Sequence, residues 1–385
     1  MNTLIIGSGG REHAIAWKIS KSSMCKKLIV CPGNPGTESI ARNIEIDIND
    51  FDKIKALCIK EEINIVIVGP EDPLVNGISD YFKQEKELKD TTLIGPCKKG
   101  ASLEGSKDFA KEFMRRYNIP TAKHKTFDIN SIDEGYQFLE TLSPPYVLKA
   151  DGLAAGKGVL IIDDLSEAKN SLKEMIVKNK FGVASKKVVI EEFLHGMELS
   201  VFILTDGKTY KVLPTAKDYK RIGENDSGLN TGGMGAVSPA TFVDRFYLEK
   251  IELEIVKPTI EGLKKENINY LGFIFFGLID VKGEPKVIEY NVRMGDPESE
   301  VVFPRIKSDL LNLLVGIKND TFSEKDLHID KRVAVTVMLT SKGYPLNYQK
   351  NKLIDLPKEF NESIVFHSGT KSKSGGLYTN GGRVM

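Results

Sequence analysis

Two segments of the chain carry residue types whose spacing suits phosphate chemistry. The first is Tyr146-Val-Leu-Lys-Ala-Asp-Gly-Leu-Ala-Ala-Gly-Lys-Gly158. An apolar, strand-like run ends at Lys149 and opens into a loop holding Asp151, Gly152, Ala155, Gly156, Lys157 and Gly158, after which another strand-like run begins. Glycines let backbone amides approach phosphate oxygens closely, and lysines supply point charges. Gly158 stands where a Walker A loop would carry Ser or Thr, so the segment is of a different kind. A glycine-rich hairpin with exposed lysines is the alternative, and two lysines framing one such loop weigh against it.

The second segment is Lys286-Val-Ile-Glu-Tyr-Asn-Val-Arg293, which reads as a strand. Side chains alternate with period two, so Glu289, Asn291 and Arg293 are expected on one face, with Ile288, Tyr290 and Val292 toward the core. A carboxylate beside an amide oxygen makes a pair of hard ligands for Mg²⁺, and Arg293 can grip a carboxylate or phosphate with its planar fork. Taken alone, the same residues also describe a solvated strand face.

Two further segments are weaker. Gly7-Ser-Gly-Gly-Arg-Glu12 follows a strand and opens a helix, which points free N–H groups at any anion docked there. Glu12 occupies the third glycine position of the dinucleotide fingerprint, which disfavours an NAD-dependent oxidoreductase. Glu191-Glu-Phe-Leu194 closes a strand; it is either a surface strand end or a purine-binding hinge, with Glu198 reaching ribose hydroxyls. The five histidines show no ligand or triad spacing.

The elements that must position these residues change along the chain. Up to residue 100, apolar strands stop at glycine-rich turns and alternate with helices, which describes an open parallel sheet with ligands beyond its carboxyl ends. Ser106 is the expected N-cap of a helix through Tyr117, and a long helical segment is expected around Tyr247–Glu266. The remaining middle region is strand-rich, which suggests mixed or antiparallel sheets, and Val333–Leu339 is the clearest strand near the end. A net charge of +1 gives no reason to expect nucleic acid or an anionic membrane as partner. Cys25, Cys31, Cys58 and Cys97 form no C-x-x-C pair and suit a reducing cytosol. The start lacks the charge and apolar pattern of a signal peptide, so the expected location is the cytoplasm.

In this order, the motifs resemble the ATP-grasp superfamily and, within it, the phosphoribosylamine–glycine ligases. They stand here as Gly7–His13, Pro32-Gly-Asn34, Gly69-Pro-Glu71, Leu103-Glu-Gly-Ser-Lys107, Lys149–Gly158, Asp218-Tyr-Lys-Arg221, Asn230-Thr-Gly-Gly-Met-Gly235, Glu289–Glu298 and Thr379-Asn-Gly-Gly-Arg383. The resemblance spans the chain and implies an α/β and α+β multidomain fold. A Rossmann-like domain would cover residues 1–100, an ATP-grasp domain 101–322 with a lid subdomain near 121–190, and a small strand-rich domain 323–385. It implies ligation of glycine to 5-phosphoribosylamine with ATP, through glycyl phosphate, in purine biosynthesis, by a cytoplasmic monomer.

The resemblance also assigns residues. Lys107, Lys149, Asp151, Gly152, Ala155, Gly156, Lys157 and Gly158 would hold ATP phosphates, and Glu191, Glu192, Phe193, Leu194 and Glu198 the adenosine. Glu289 and Asn291 would bind Mg²⁺ or Mn²⁺. Gly9, Gly10, Asn34 and Glu71 would meet phosphoribosylamine. Asp218, Lys220, Arg221, Arg293 and Asp296, with Asn230, Thr231, Gly232 and Gly233, would surround glycine and the acyl phosphate, and Arg293, Lys149 and Asp218 would act in catalysis. Two departures stand out. Gly277 occupies the position of a metal-binding acid found in many relatives, for which Asp280 is a candidate substitute. The chain also ends at Met385 where the family usually continues, so the expectation is either a shortened carboxy-terminal domain or a sequence that lacks its natural end. Another ATP-grasp carboxylate–amine ligase and a non-catalytic nucleotide-binding protein are the competing readings.

Overall fold

The structure is a computed structural model of the 385-residue chain and describes residues 1–153, 158–357, 360 and 362–385. The apolar runs of the amino-terminal region form five parallel strands in the order Arg42–Asn43, Lys27–Pro32, Asn2–Gly7, Ile65–Val68 and Thr92–Ile94. A parallel sheet must be covered on both faces, and the alternation of these strands achieves it. Leu4, Ile6, Val66 and Val68 join one core cluster, whereas Ile5, Ile65 and Ile67 join another beside the helix Gly10–Ser20.

Both clusters run on without a break into a central antiparallel sheet. Its strands lie in the order Tyr210–Val212, Met197–Thr205, Gly272–Val281 and Glu284–Asn291. Val201, Ile203, Phe276 and Leu278 belong to the first cluster; Phe202, Leu204, Phe273 and Phe275 belong to the second. A separate four-stranded antiparallel sheet is ordered His124–Asp128, Lys187–Glu192, Tyr146–Ala150 and Val159–Ile162. It packs with the helices Ile132–Glu140 and Leu165–Val177 around its own core of Phe127, Leu148, Leu172 and Ile190. The strand that leads into the glycine-rich loop therefore belongs to one packed body and the Glu289 strand to another. The two meet where Lys149 Nζ approaches the Ile288 carbonyl, the region we call the cleft.

Near the end of the chain, Ala334–Val337 pairs with Gly235–Ser238 as the edge of a three-stranded sheet, and Val333, Val335, Val337 and Leu339 remain exposed. The segment after it docks on the amino-terminal domain. His367 N donates to His13 Nδ1 at 2.8 Å, and Phe366 meets the Trp17 ring edge-on at 5.8 Å. No helix among the described residues is long and apolar enough to cross a membrane.

The long helical segment expected around Tyr247–Glu266 is present from Arg245 to Lys265: Arg245–Ile251 and Lys257–Lys265 are α-helical, and Glu252–Val256 forms a π-turn between them. Pro258 has no N–H to bond one turn back, which favours the wider turn before it. One expectation about elements needs correction. In the Glu284–Asn291 strand, Ile288 does not join the core. Gly277 pairs with Glu289 but the next residue, Leu278, pairs with Val287, so Ile288 is skipped as a β-bulge. Val287 and Tyr290 are buried, and Ile288 is only half-buried.

Candidate nucleotide and substrate site

The cleft is organised around the start of the helix Lys107–Arg116. Ser106 caps it, its Oγ accepting from Phe109 N at 3.1 Å. The Asp151 carboxylate joins the same helix end, with Oδ1 accepting from Ser106 Oγ at 2.9 Å and Asp108 N at 2.8 Å. A carboxylate at a helix N-terminus is favourable, and here it anchors the first residue of the glycine-rich loop. Lys107 Nζ reaches the Gly152 carbonyl at 3.3 Å, and the Gly158 carbonyl accepts from Ala150 N at 2.8 Å. Ala155, Gly156 and Lys157 lie outside the described residues.

Lys149 projects from the Tyr146–Ala150 strand toward the bulged strand. Its Nζ is 3.0 Å from Glu191 Oε1 and 3.5 Å from the Ile288 carbonyl, the residue that the ladder skips. Glu191 Oε2 is 3.0 Å from Lys111 Nζ, and all three side chains are buried. Burial pushes the Lys111 ammonium down to about 8, against the opposing pull of Glu191. Glu192 accepts from Lys123 N at 2.8 Å, and Phe193 and Leu194 are half-buried, with the Phe193 ring 4.8 Å from that of His195.

Glu289 opens onto the cleft. Its desolvated surroundings would raise its carboxyl, but Lys220, Lys149, Lys107 and Arg293 outweigh that and hold it below the usual range, as an anion. Asn291 lies two residues on and is buried, and its Nδ2 has no hydrogen-bond partner. The Glu289 carboxylate and the Asn291 Oδ1 are hard oxygen ligands of the kind a divalent cation takes, while the unpartnered Asn291 Nδ2–H₂ is a donor suited to a phosphate oxygen. Asp280 does not complete this pair. It sits at the hairpin turn, opposite Pro285, and accepts from Gly283 N at 2.7 Å. No group of three acidic, His or Cys side chains suited to a metal occurs among the described residues, so phosphates and water would supply the other ligands.

Arg293 bridges three segments. Its Nη2 is 2.6 Å from Glu104 Oε1 and its Nε 3.2 Å from Glu71 Oε2, while Glu104 Oε2 accepts from Val292 N at 2.8 Å. Burial would lower the guanidinium, but Glu104 and Glu71 more than compensate and raise it. Burial pushes Glu104 up to about 7, Arg293 opposing and Glu71 adding to the rise. Much of the Arg293 fork is thus occupied by carboxylates that tie the amino-terminal domain to the central strand.

Beside it lies a second polar cluster. Lys220 Nζ is 3.0 Å from Glu198 and 3.8 Å from Asp218. Burial raises the Asp218 carboxyl despite Lys220, and Glu198 adds to the effect. Glu298 is buried, accepts from Ser200 Oγ at 3.2 Å, and is pushed up to about 7 by burial and by Asp218. Thr231 bonds through N and Oγ1 to the Lys220 carbonyl, at 2.7 and 2.8 Å, which brings the Thr231–Gly233 turn beside this cluster. Arg221 and Asn230 pair across a hairpin instead, and the Arg221 guanidinium bonds the Gly228 carbonyl at 2.9 Å.

The amino-terminal glycine turn lines a cavity of about 530 Å³ with Arg11, Glu12, Asp296 and Arg383. Its N–H groups already have anionic partners: Gly9 N donates to Glu12 Oε2 at 2.6 Å, and Arg11 N to Asp296 Oδ2 at 3.3 Å. A Cβ on Gly10 would stand 2.0 Å from Glu300 Oε1, so a side chain there would require the Glu300 carboxylate to move. The Asn34 amide is spent on the Ser8 and His367 carbonyls, at 2.8 and 2.9 Å. Arg383 Nη2 is 2.9 Å from Asp296 Oδ1, and its Nη1 reaches the Gly232 carbonyl at 2.6 Å.

Sequence reasoning assigned no role to Lys111, Glu104, Glu298 or Arg383. The last three lie inside motifs quoted above. Lys111 is four residues past Lys107, hence on the same helix face, which was the available signal.

Comparison with known proteins agrees along the whole chain. Residues 1–104, 105–299 and 334–385 match the N, ATP-grasp (A) and C domains of the family described as phosphoribosylglycinamide synthetase. The phosphoribosylamine–glycine ligase of Pasteurella multocida is 43% identical over 389 residues, covering 100% of this chain and 89% of the relative. That of Caldanaerobacter subterraneus is 42% identical over 385 residues, covering 100% and 91%. The crystal structure of phosphoribosylamine–glycine ligase from Thermotoga maritima superposes with a TM-score of 0.85 at 36% identity, covering 100% of this chain and 91% of that one. The biotin carboxylase domain of Hydrogenobacter thermophilus 2-oxoglutarate carboxylase, solved with MgADP, shares the fold at 16% identity and a TM-score of 0.74, covering 99% and 86%.

Proposed function

The chain belongs to the phosphoribosylglycinamide synthetase family, and we propose that it joins glycine to 5-phosphoribosylamine at the expense of ATP, a reaction of purine biosynthesis. One observation carries the reading. Lys107 and Lys149 come together across the cleft with Glu289, and Arg293 and Asp218 stand at its inner end, where a phosphoryl group would pass to a carboxylate.

A carboxylate does not condense with an amine unaided. The glycine carboxylate attacks the γ-phosphorus, the bond to the β–γ bridging oxygen breaks, and ADP leaves glycyl phosphate behind. The ribosylamine nitrogen then attacks the acyl carbon, the carbon–oxygen bond to phosphate breaks, and the nitrogen gives up a proton as the amide forms. No protein nucleophile takes part, so the residues act by positioning and by stabilising charge.

In this reading Lys107, Lys149 and the 151–158 loop hold the phosphates, and Glu191–Leu194 with Glu198 hold the adenosine. Glu289 and Asn291 would hold Mg²⁺ or Mn²⁺, which neutralises phosphate charge when bound. Asp218, Lys220, Arg221, Arg293 and Asp296, with Asn230 and the Thr231–Gly233 turn, surround glycine and the acyl phosphate. Gly9, Gly10 and Glu71 face the ribosylamine, and Asn34 shapes that wall through its backbone anchors. Residues 1–100, 101–322 and 323–385 act as three domains of a cytoplasmic monomer. The deciding assay is ADP release with Mg²⁺, testing glycine and freshly generated phosphoribosylamine separately and together. Full release requires both; release indifferent to glycine would sink the reading and favour another carboxylate–amine ligase.

A further inference from the structure

Glu191 is shared between two lysines. One carboxylate oxygen lies 3.0 Å from Lys149 Nζ and the other 3.0 Å from Lys111 Nζ, and none of the three side chains exceeds 8% exposure. Lys111 also donates to Thr121 Oγ1 at 2.7 Å, and Thr121 in turn donates to the Val287 carbonyl at 2.6 Å. The ammonium is therefore fixed by the helix Lys107–Arg116, the Lys187–Glu192 strand and the start of the lid, one residue from the bulge that meets Lys149. At 3% side-chain exposure it cannot itself touch a ligand in the cleft.

A lysine paired one-to-one with a buried carboxylate is electrically neutral to its surroundings and offers little to an anion. Two lysines on one carboxylate leave a net charge of +1, and the ammonium nearer the cleft is the one that can present it. We infer that Lys111 is a positioning residue for nucleotide: by engaging half of Glu191, it frees Lys149 to present positive charge to the polyphosphate of a nucleoside triphosphate. The inference rests on the ATP reading above. It accounts for a buried charge that would otherwise be costly, since an apolar side chain could fill the same space without desolvating an ammonium.

The role makes a demand that a merely structural lysine does not: the effect must scale with the phosphates on the ligand. Calorimetry would compare Mg²⁺ with the β,γ-imido analogue of ATP against adenosine, on the full chain and on Lys111→Met, Lys111→Gln and Lys111→Arg. Lys111→Met and Lys111→Gln should weaken the triphosphate analogue about tenfold or more, as expected for loss of one charge-assisted contact, and leave adenosine binding unchanged. Lys111→Arg should retain most of the affinity. Equal weakening of both ligands, or a triphosphate affinity within twofold of the parent in Lys111→Gln, would overturn the inference. The Gln variant keeps a hydrogen-bonding side chain and answers the question should the Met variant not fold. A parent protein that binds neither ligand would instead bring down the ATP reading itself.

Discussion

Two regions of this chain look alike on paper as anion sites, the amino-terminal glycine turn and the cleft between the lid and the central sheet. Their electrostatics differ. At the turn, Glu12 and Asp296 already accept from Gly9 and Arg11, so the helix end is largely satisfied from within. In the cleft, Lys107, Lys149, Lys220 and Arg293 surround the exposed Glu289 carboxylate and hold it below the usual range. The glycine-rich strand-to-helix turn thus spends part of its donor capacity inside the fold, whereas positive charge in the cleft comes from side chains gathered from several elements.

The sharpest way to break this contrast is in the cleft. Lys149→Met removes charge from the site proposed for the phosphates, and should lower kcat/KM for ATP by ~10²–10³-fold, measured by steady-state ADP release. Arg293→Lys keeps the charge but loses the fork between Glu104 and Glu71, and should cost ~10²-fold in kcat. It should also lower the melting temperature, because Glu104 is left buried against a weaker partner.

The turn should respond in stability instead. Glu12→Gln weakens its bonds to Gly9 N and Arg11 Nε and should cost ~1–3 kcal/mol in denaturant unfolding, with triphosphate affinity unaltered. A fall in that affinity would erase the distinction between the two regions. A further test is one of pH. Burial, with His367 adding, lowers His13 to about 3. The folded state then binds fewer protons than the unfolded one between about 6.5 and 3, so His13 contributes stability that is present above 6.5 and lost on acidification through that window. The slope from this one group is at most about 1.4 kcal/mol per pH unit, and His13→Gln should flatten the melting-temperature profile there.

What the sequence made legible was local. The Ser106 cap, the parallel order of the first strands and the pairing of Glu289 with Asn291 on one face follow from capping and from period two. What stayed hidden was the set of partners brought by distant segments. Glu104 meets Arg293 across 189 positions and Arg383 meets Gly232 across 151, and no spacing rule announces either. The Ile288 bulge was hidden for another reason: a skipped residue leaves the alternation readable on either side while reversing it between Val287 and Glu289. Lys111 was nearer to legible, since it repeats Lys107 one helical turn on, but a charged residue at that spacing more often faces solvent.

The bulge carries a consequence for how this strand tolerates changes of length. It holds one residue more than its neighbour needs, so removing Ile288 would bring Val287 and Glu289 into consecutive rungs, with the valine still inward and the carboxylate still toward the cleft. Deletion of Tyr290, the single residue between Glu289 and Asn291, would instead turn one of those two side chains around. The strand therefore contains one spare position, and its cost in the shortened chain falls on Lys149, which loses the carbonyl that steadies it.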